Sequence, residues 1–394
     1  MKKNLLKQIT CSLLVAITIV SSTTTFSATD TTKSETANDV SSLIPDDVIK
    51  YAESRLTPLS QTVKQNSDNF GIDIKNVYTL ELGEPYVIYS SLDNGTQNPI
   101  YYFPVLQDNE IIMILSIIDD NGIYSAGLEE GIAEDLNTIG YQSDENYIFY
   151  TDEQNIYAES ESDTEIIGSL NQSNNATITQ LKNAKEFENL SFEKKINEIN
   201  DTYAIDEPSD NIQVDNTQEI LYKAQGFSTK TYNTVRLNTN KCTVSQGNEG
   251  LCWAACVATT VRYRNYSKYP KLTAKQVANK MEIGYNDGGD ENDIKKALDK
   301  YGVKNYTFKN KQISFSKVKT NILNQYPFII GAISPKGGHS VTGVGYTTYG
   351  GINQVTFYNS GTNKFATVEY KSSGTKFSYV NTTFLWYSSV SKYY

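Results

Sequence analysis

The chain is poor in histidine: among 394 residues there is one, His339. Any mechanism that needs an imidazole must use that side chain, and a site in which one histidine orients another is excluded. Cysteine is scarce as well, with Cys11, Cys242, Cys252 and Cys256 making up the set. Long apolar runs are confined to the N-terminus. There Lys2, Lys3 and Lys7 precede an apolar stretch from about Ile9 to Val20, followed by small polar residues up to Ala28. That run is too short to span a bilayer and suits an export signal over residues 1–28. Cys11 lies inside it and leaves with it. No later stretch is apolar and long enough to cross a membrane, so the expected product is soluble, secreted and without stable membrane association.

Three cysteines then remain, an odd count that leaves at least one free thiol in a single exported chain. Two arrangements stay open: a Cys242–Cys256 bridge with Cys252 left over, or separate thiols.

Charge is present but unevenly placed. The net charge of −10 conceals 37 acidic against 10 basic residues over 29–225, a net −27, and 8 acidic against 22 basic over 226–394, a net +14. Such asymmetry points to opposed partners. Nucleic acid is the usual partner of a basic region, but no aromatic platform accompanies the lysines, so they read as a solvated face. The acidic partner expected here is carried on the same chain.

The spacing of apolar residues predicts a helix from Leu43 to about Val63, strands at Tyr86–Tyr89, Ile100–Leu106, Ile111–Ile118, Tyr147–Tyr150 and Ile166–Ile167, and a helix from Lys185 to Ile199. Asp93-Asn94-Gly95 and Asp119-Asp120-Asn121-Gly122 read as turns. Residues 29–42 are polar and read as disordered, 171–179 as a linker, and 201–216 as an acidic connector. A boundary is placed near Tyr222 to Phe227. Beyond it, helices are expected from Cys252 to about Tyr263, over Thr273–Met281, Asn292–Tyr301 and Phe315–Gln325. Strands follow over Phe328–Ile333, Ser340–Tyr346, Gln354–Tyr358, Phe365–Tyr370 and around Phe384–Tyr387. Helices first and antiparallel strands second indicate an α+β domain. A β-rich α+β region precedes it.

The chemistry centres on Gln246-Gly247-Asn248-Glu249-Gly250-Leu251-Cys252-Trp253-Ala254-Ala255-Cys256 and on Gly337-Gly338-His339-Ser340-Val341. A cysteine nucleophile must be a thiolate, and a free thiol with a pKa of about 8.5 is only a few per cent ionised at neutral pH. A helix N-terminus at Cys252 helps, by about 0.3–2 kcal/mol, which is not enough alone. An imidazolium partner is needed, and His339 is the candidate. Glu249 opposes thiolate formation if it points inward, and is expected to face solvent. The backbone N–H of Cys252 and the side-chain amide of Gln246 can serve a developing oxyanion. Asn359, in Tyr358-Asn359-Ser360-Gly361, can orient the base from an adjacent strand.

Taken singly, each residue has an ordinary reading: a core cysteine, a structural histidine on a strand, a turn asparagine. Together they match a known pattern. The chain resembles the papain-like cysteine peptidases, in particular their compact bacterial secreted branch (staphopain-like, with a Cys-Trp-Ala-Ala start). The resemblance rests on Gln246, Cys252-Trp253, Gly338-His339-Ser340-Val341 with Val344-Gly345-Tyr346, and Asn359-Ser360-Gly361, and runs from about Phe227 to the end. It implies Cys252 as nucleophile, His339 as general acid/base, Asn359 as its orienter and Gln246 as oxyanion donor. The sequence departs from the pattern twice. Gly361 stands where papain-type enzymes often carry a tryptophan that shields the Asn–His contact. The cysteine that precedes the nucleophile in papain, and its disulfide, are also missing.

No cofactor and no metal are expected. Asp287-Gly288-Gly289-Asp290-Glu291-Asn292-Asp293 lacks the spacing of a calcium loop and reads as a turn leading to a helix N-cap at Asn292. The expected molecule is a monomeric endopeptidase zymogen acting on proteins or peptides, with residues 29–225 as an acidic pro-region inhibiting residues 226–394. Two other readings are a peptidoglycan amidase or endopeptidase of the cell wall, and a non-enzymatic secreted binding protein using residues 70–170.

Overall fold

The computed structural model describes residues 44–91, 99–141, 146–152, 155–169, 178–203, 232–379 and 381–392. The expected export signal, the segment 29–42, the Asp93-Asn94-Gly95 turn, most of the acidic connector and the boundary near Tyr222 lie outside them.

Pro45 sits in extended geometry and starts α1 (Asp46–Gln65), where its missing N–H costs nothing. A single turn, α2 (Ser67–Phe70), follows. Strands β1 (Glu81–Leu82), β2 (Tyr86–Ser90), β3 (Ile100–Gln107), β4 (Glu110–Asp120) and β5 (Ile123–Glu129) come next. Two-residue turns join β3 to β4 at Asp108-Asn109 and β4 to β5 at Asn121-Gly122, all four residues at positive φ. That geometry matches the twist of the flanking strands and explains why Asn and Gly stand there. After α3 (Ala133–Thr138) come β6 (Ile148–Thr151), β7 (Asn155–Glu159) and β8 (Thr164–Ser169).

The helix expected over Lys185–Ile199 is two helices, α4 (Ile178–Glu188) and α5 (Phe192–Tyr203). The side-chain amide of Asn189 donates to the Lys185 carbonyl at 2.6 Å, and the Lys195 N–H bonds to the Ser191 carbonyl to start the next helix. Polar residues that satisfy terminal backbone groups locally break the run.

The second part opens with β9 (Tyr232–Arg236), which the periodicity does not announce. Helices α6 (Cys252–Arg264), α7 (Ala274–Met281) and α8 (Glu291–Lys300) follow. Then come β10 (Tyr306–Lys309), α9 (Phe315–Leu323), β11 (Phe328–Ser334), β12 (Gly337–Tyr349), β13 (Ile352–Asn359), β14 (Lys364–Glu369), β15 (Lys376–Ser378) and β16 (Thr383–Lys392). Every residue of α6 from Trp253 to Val261 is buried. A helix enclosed on all sides needs small residues, and Ala254, Ala255 and Ala258 supply them. The arrangement is α+β, and a peptidase fold of the papain-like kind fits it at that coarse level.

The strands run in the order β10-β16-β11-β12-β13-β14-β5-β4-β3-β2-β6-β7-β8. All pairings along this path are antiparallel except β2 with β6. The junction between the two parts is β14 against β5, with Ala366, Thr367 and Val368 opposite Glu129, Leu128 and Gly127. One apolar cluster also crosses it. Val344, Tyr358 and Phe365 pack with Val48, Leu59, Phe70, Phe103 and Leu115, and the Phe70 and Phe365 rings lie 6.1 Å apart. Residues 44–203 and 232–392 thus share a sheet and a core. Truncating Phe365 to alanine is expected to lower the unfolding free energy of the full chain by about 3–5 kcal/mol, read from a urea melt. An unchanged midpoint would show that the junction adds no stability.

Candidate active site

Leu251 precedes α6 and offers no side-chain cap to it. The first N–H groups of the helix are thereby left for another acceptor, and the sulfur of Cys252 lies among them. The N–H and hydroxyl of Ser340 on β12 and the N–H groups of Trp253 and Cys252 lie near enough to favour its anion. Burial raises the Cys252 pKa, and these donors lower it without cancelling the rise. One turn along, Cys256 is fully enclosed and its thiol is pushed far up by burial. Cys242 is also raised by burial, with Arg262 opposing. All three thiols are free, so of the two arrangements left open by the sequence the chain adopts separate thiols.

His339 sits on β12 and Asn359 at the end of β13, neighbouring antiparallel strands. His339 Nε2 is 2.9 Å from Asn359 Oδ1. The Gly361 N–H donates to that same oxygen at 3.0 Å, which identifies it as oxygen and turns the amide nitrogen away. An oxygen can only accept, so Nε2 carries the proton and the neutral ring keeps its lone pair on Nδ1. Burial pulls the His339 pKa down to about 4, and the bond to Asn359 opposes that shift. Tyr379 lies flat against the imidazole with centroids 4.7 Å apart, and Phe384 packs at 5.6 Å.

Gln246 is buried. Its backbone N–H donates to the Ser360 carbonyl at 3.1 Å, and its Oε1 accepts from Ser360 Oγ, also at 3.1 Å. With the oxygen end held by Ser360, the amide nitrogen faces the loop before Cys252, where it reaches the Glu249 carbonyl at 3.4 Å. Gly247 at φ +70° makes that loop turn. The carboxylate of Glu249 differs from the solvent-facing expectation. It is partly buried and paired with Lys275 at 2.5 Å, which neutralises the charge that would oppose a thiolate.

Asn359 touches the imidazole and the adjacent Ser360 holds Gln246, while Cys252 begins α6, which packs against the strand that carries His339. Sequence reasoning did not find Ser340, Ser360 or Tyr379. The two serines adjoin the motif residues and were legible in principle, whereas Tyr379 is one of 29 tyrosines and carries no local signal.

The acidic run after α7 is also resolved. Asp290, rather than Asn292, caps α8, its carboxylate accepting from the Asp293 N–H at 2.8 Å in a reciprocal capping box. The cap lies two residues earlier than expected because a carboxylate satisfies two orphan donors with Asp293 in return. Gly289 next to it lies against the Trp253 indole, where a Cβ would stand 2.5 Å from Cδ2. Among the described residues no group of three His, Cys, Asp or Glu side chains is placed to hold a metal ion.

With this geometry in hand, two comparisons bear on the chain. The family model described as Peptidase_C39 like family matches residues 238–387, a span that contains Gln246, Cys252, His339 and Asn359. Staphopain B of Staphylococcus aureus strain NCTC 8325 / PS 47 and that of strain COL are each 28% identical over 153 residues, covering 35% of this chain and 37% of the relative. The match thus spans little more than a third of the length of these curated relatives.

The protonation state is open to measurement. A lowered imidazole pKa and a raised thiol pKa leave a neutral pair at neutral pH. Alkylation of Cys252 by iodoacetamide in the full chain is expected to climb about tenfold per pH unit between about pH 6 and about pH 8. A flat rate over that range would reveal a preformed thiolate–imidazolium pair and contradict the neutral state.

Proposed function

We propose, from the match of residues 238–387 to the C39-like peptidase family, that the chain is a cysteine-type endopeptidase, secreted and made as a zymogen. Residues 1–28 direct export, residues 29–225 are the inhibitory pro-region, and residues 226–394 are the enzyme. The observation that carries the reading is the buried 2.9 Å bond from His339 to Asn359, on a strand against which the helix that begins at Cys252 packs. It orients the sole imidazole with its lone pair on the free nitrogen.

In this mechanism Nδ1 of His339 takes the thiol proton as Cys252 attacks the carbonyl carbon of a peptide bond. Asn359 steadies the imidazolium. The Cys252 N–H and the Gln246 amide receive the charge that develops on the carbonyl oxygen. The C–N bond breaks as the imidazolium protonates the leaving amine, and His339 then activates water to hydrolyse the thioester. No described helix is long and apolar enough to cross a membrane.

The charge split supports the pro-region role. Asp68 pairs with Arg236 at 2.9 Å, Glu130 with Lys364 and Asp120 with Lys376. In each pair the acid comes from the first part and the base from the second. One pair runs the other way, Arg55 with Glu369 at 3.4 Å. Pairs at the rim of a contact govern encounter more than affinity, so the shared strand edge and core are the main hold.

Two outcomes test this. A peptide epoxide is expected to label the processed enzyme at Cys252, with labelling and proteolysis both lost in Cys252→Ala and His339→Ala. Gln246→Ala is expected to lower kcat by about a hundredfold to a thousandfold. Proteolysis that survives Cys252→Ala would end the reading. Separately made residues 29–225 are expected to inhibit the processed enzyme in trans, more weakly as salt is raised. Absence of inhibition at low salt would remove the pro-region role while leaving the peptidase intact.

A further inference from the structure

The sequence leaves a gap at position 361, where Gly361 offers nothing to cover the His339–Asn359 bond. The structure fills it from elsewhere in the chain. Tyr379, just after β15, lies over the imidazole with the two planes 16° apart and centroids 4.7 Å apart. Its other end occupies the space above Gly361. A Cβ at 361 would stand 2.7 Å from Tyr379 Cζ, closer still to its hydroxyl, and 3.3 Å from Asn359 Oδ1. A side chain at 361 and the tyrosine ring therefore exclude each other.

We propose that Tyr379 is a positioning residue for His339, holding the plane of the imidazole and keeping water from its bond to Asn359, in place of a side chain at 361. The inference rests on His339 acting as the acid/base of the proposed peptidase.

The platform is itself fixed. Tyr379 and Thr382 exchange backbone bonds of 2.9 and 3.1 Å. Ser378 Oγ donates to Ser116 Oγ on β4 at 3.0 Å, and the Asn381 amide donates to the Ile88 carbonyl on β2 at 2.6 Å. Phe384 closes the remaining side of the ring stack. A flat ring on the face of an imidazole excludes water without competing for its nitrogens, which leaves Nδ1 for the sulfur.

Because His339 is the sole histidine, histidine-specific isotope labelling of the full chain gives one imidazole to follow by NMR. Tyr379→Phe keeps the aromatic face and is expected to preserve both the upfield ring-current shift of the imidazole proton and its low titration midpoint. Tyr379→Ala is expected to lose the shift and to raise the midpoint by about one pH unit or more as water reaches the ring. Gly361→Ala, which crowds the tyrosine without removing it, is expected to move both readouts in the same direction, and serves if the alanine variant at 379 does not fold. An unchanged signal in Tyr379→Ala or Gly361→Ala, or a phenylalanine variant that behaves like alanine, would overturn the proposal. The peptidase reading fails separately: it does so if proteolysis by the processed enzyme survives Cys252→Ala or His339→Ala, whatever the NMR signal shows.

Discussion

Two donors on one oxygen organise this site. Asn359 Oδ1 receives the Gly361 N–H and the Nε2–H of His339, so neither the amide nor the imidazole can turn over without losing a buried bond. A buried polar group left unmet costs about 1–3 kcal/mol, enough to hold one orientation and one tautomer. The proposed chemistry depends on that tautomer, since it leaves a lone pair on Nδ1 to take a proton from sulfur.

The sulfur experiences opposed effects of unequal size. The helix terminus and Ser340 favour the anion, while enclosure favours the neutral thiol, and enclosure wins in this state. The same enclosure discharges the imidazole. In the proposed mechanism the thiol and the imidazole start out neutral, and moving a proton between them creates two charges in a poorly hydrated site. Residues 44–203 contribute to that starting state by packing on the second part. They extend its sheet at β14, share its core through Phe365 and Tyr358, and hold Ser378 and Asn381 on either side of Tyr379.

The match to the C39-like family falls on the second part. The charge pattern extends the argument to the first part. The surplus of acid before residue 226 and of base after it surfaces as Asp68–Arg236, Glu130–Lys364 and Asp120–Lys376, so the asymmetry is partly satisfied within the molecule.

Local regularities were legible before any fold was known. The helix at Cys252, the turn at Asn121-Gly122 and the strands of His339 and Asn359 follow from spacing and residue chemistry, which together with a family resemblance nominated the four candidate site residues. These features depend on neighbours a few residues apart. The break between α4 and α5, the edge strand β9 and the cap at Asp290 were misread or missed, because short polar groups choose between local partners by fine geometry. Tertiary structure alone decided that β5 would join β14, that Cys242 and Cys256 would remain apart, and that Tyr379 would take the space Gly361 leaves open. Each of these brings together groups distant along the chain, and which distant surfaces meet is settled by packing the whole core, which no local pattern encodes.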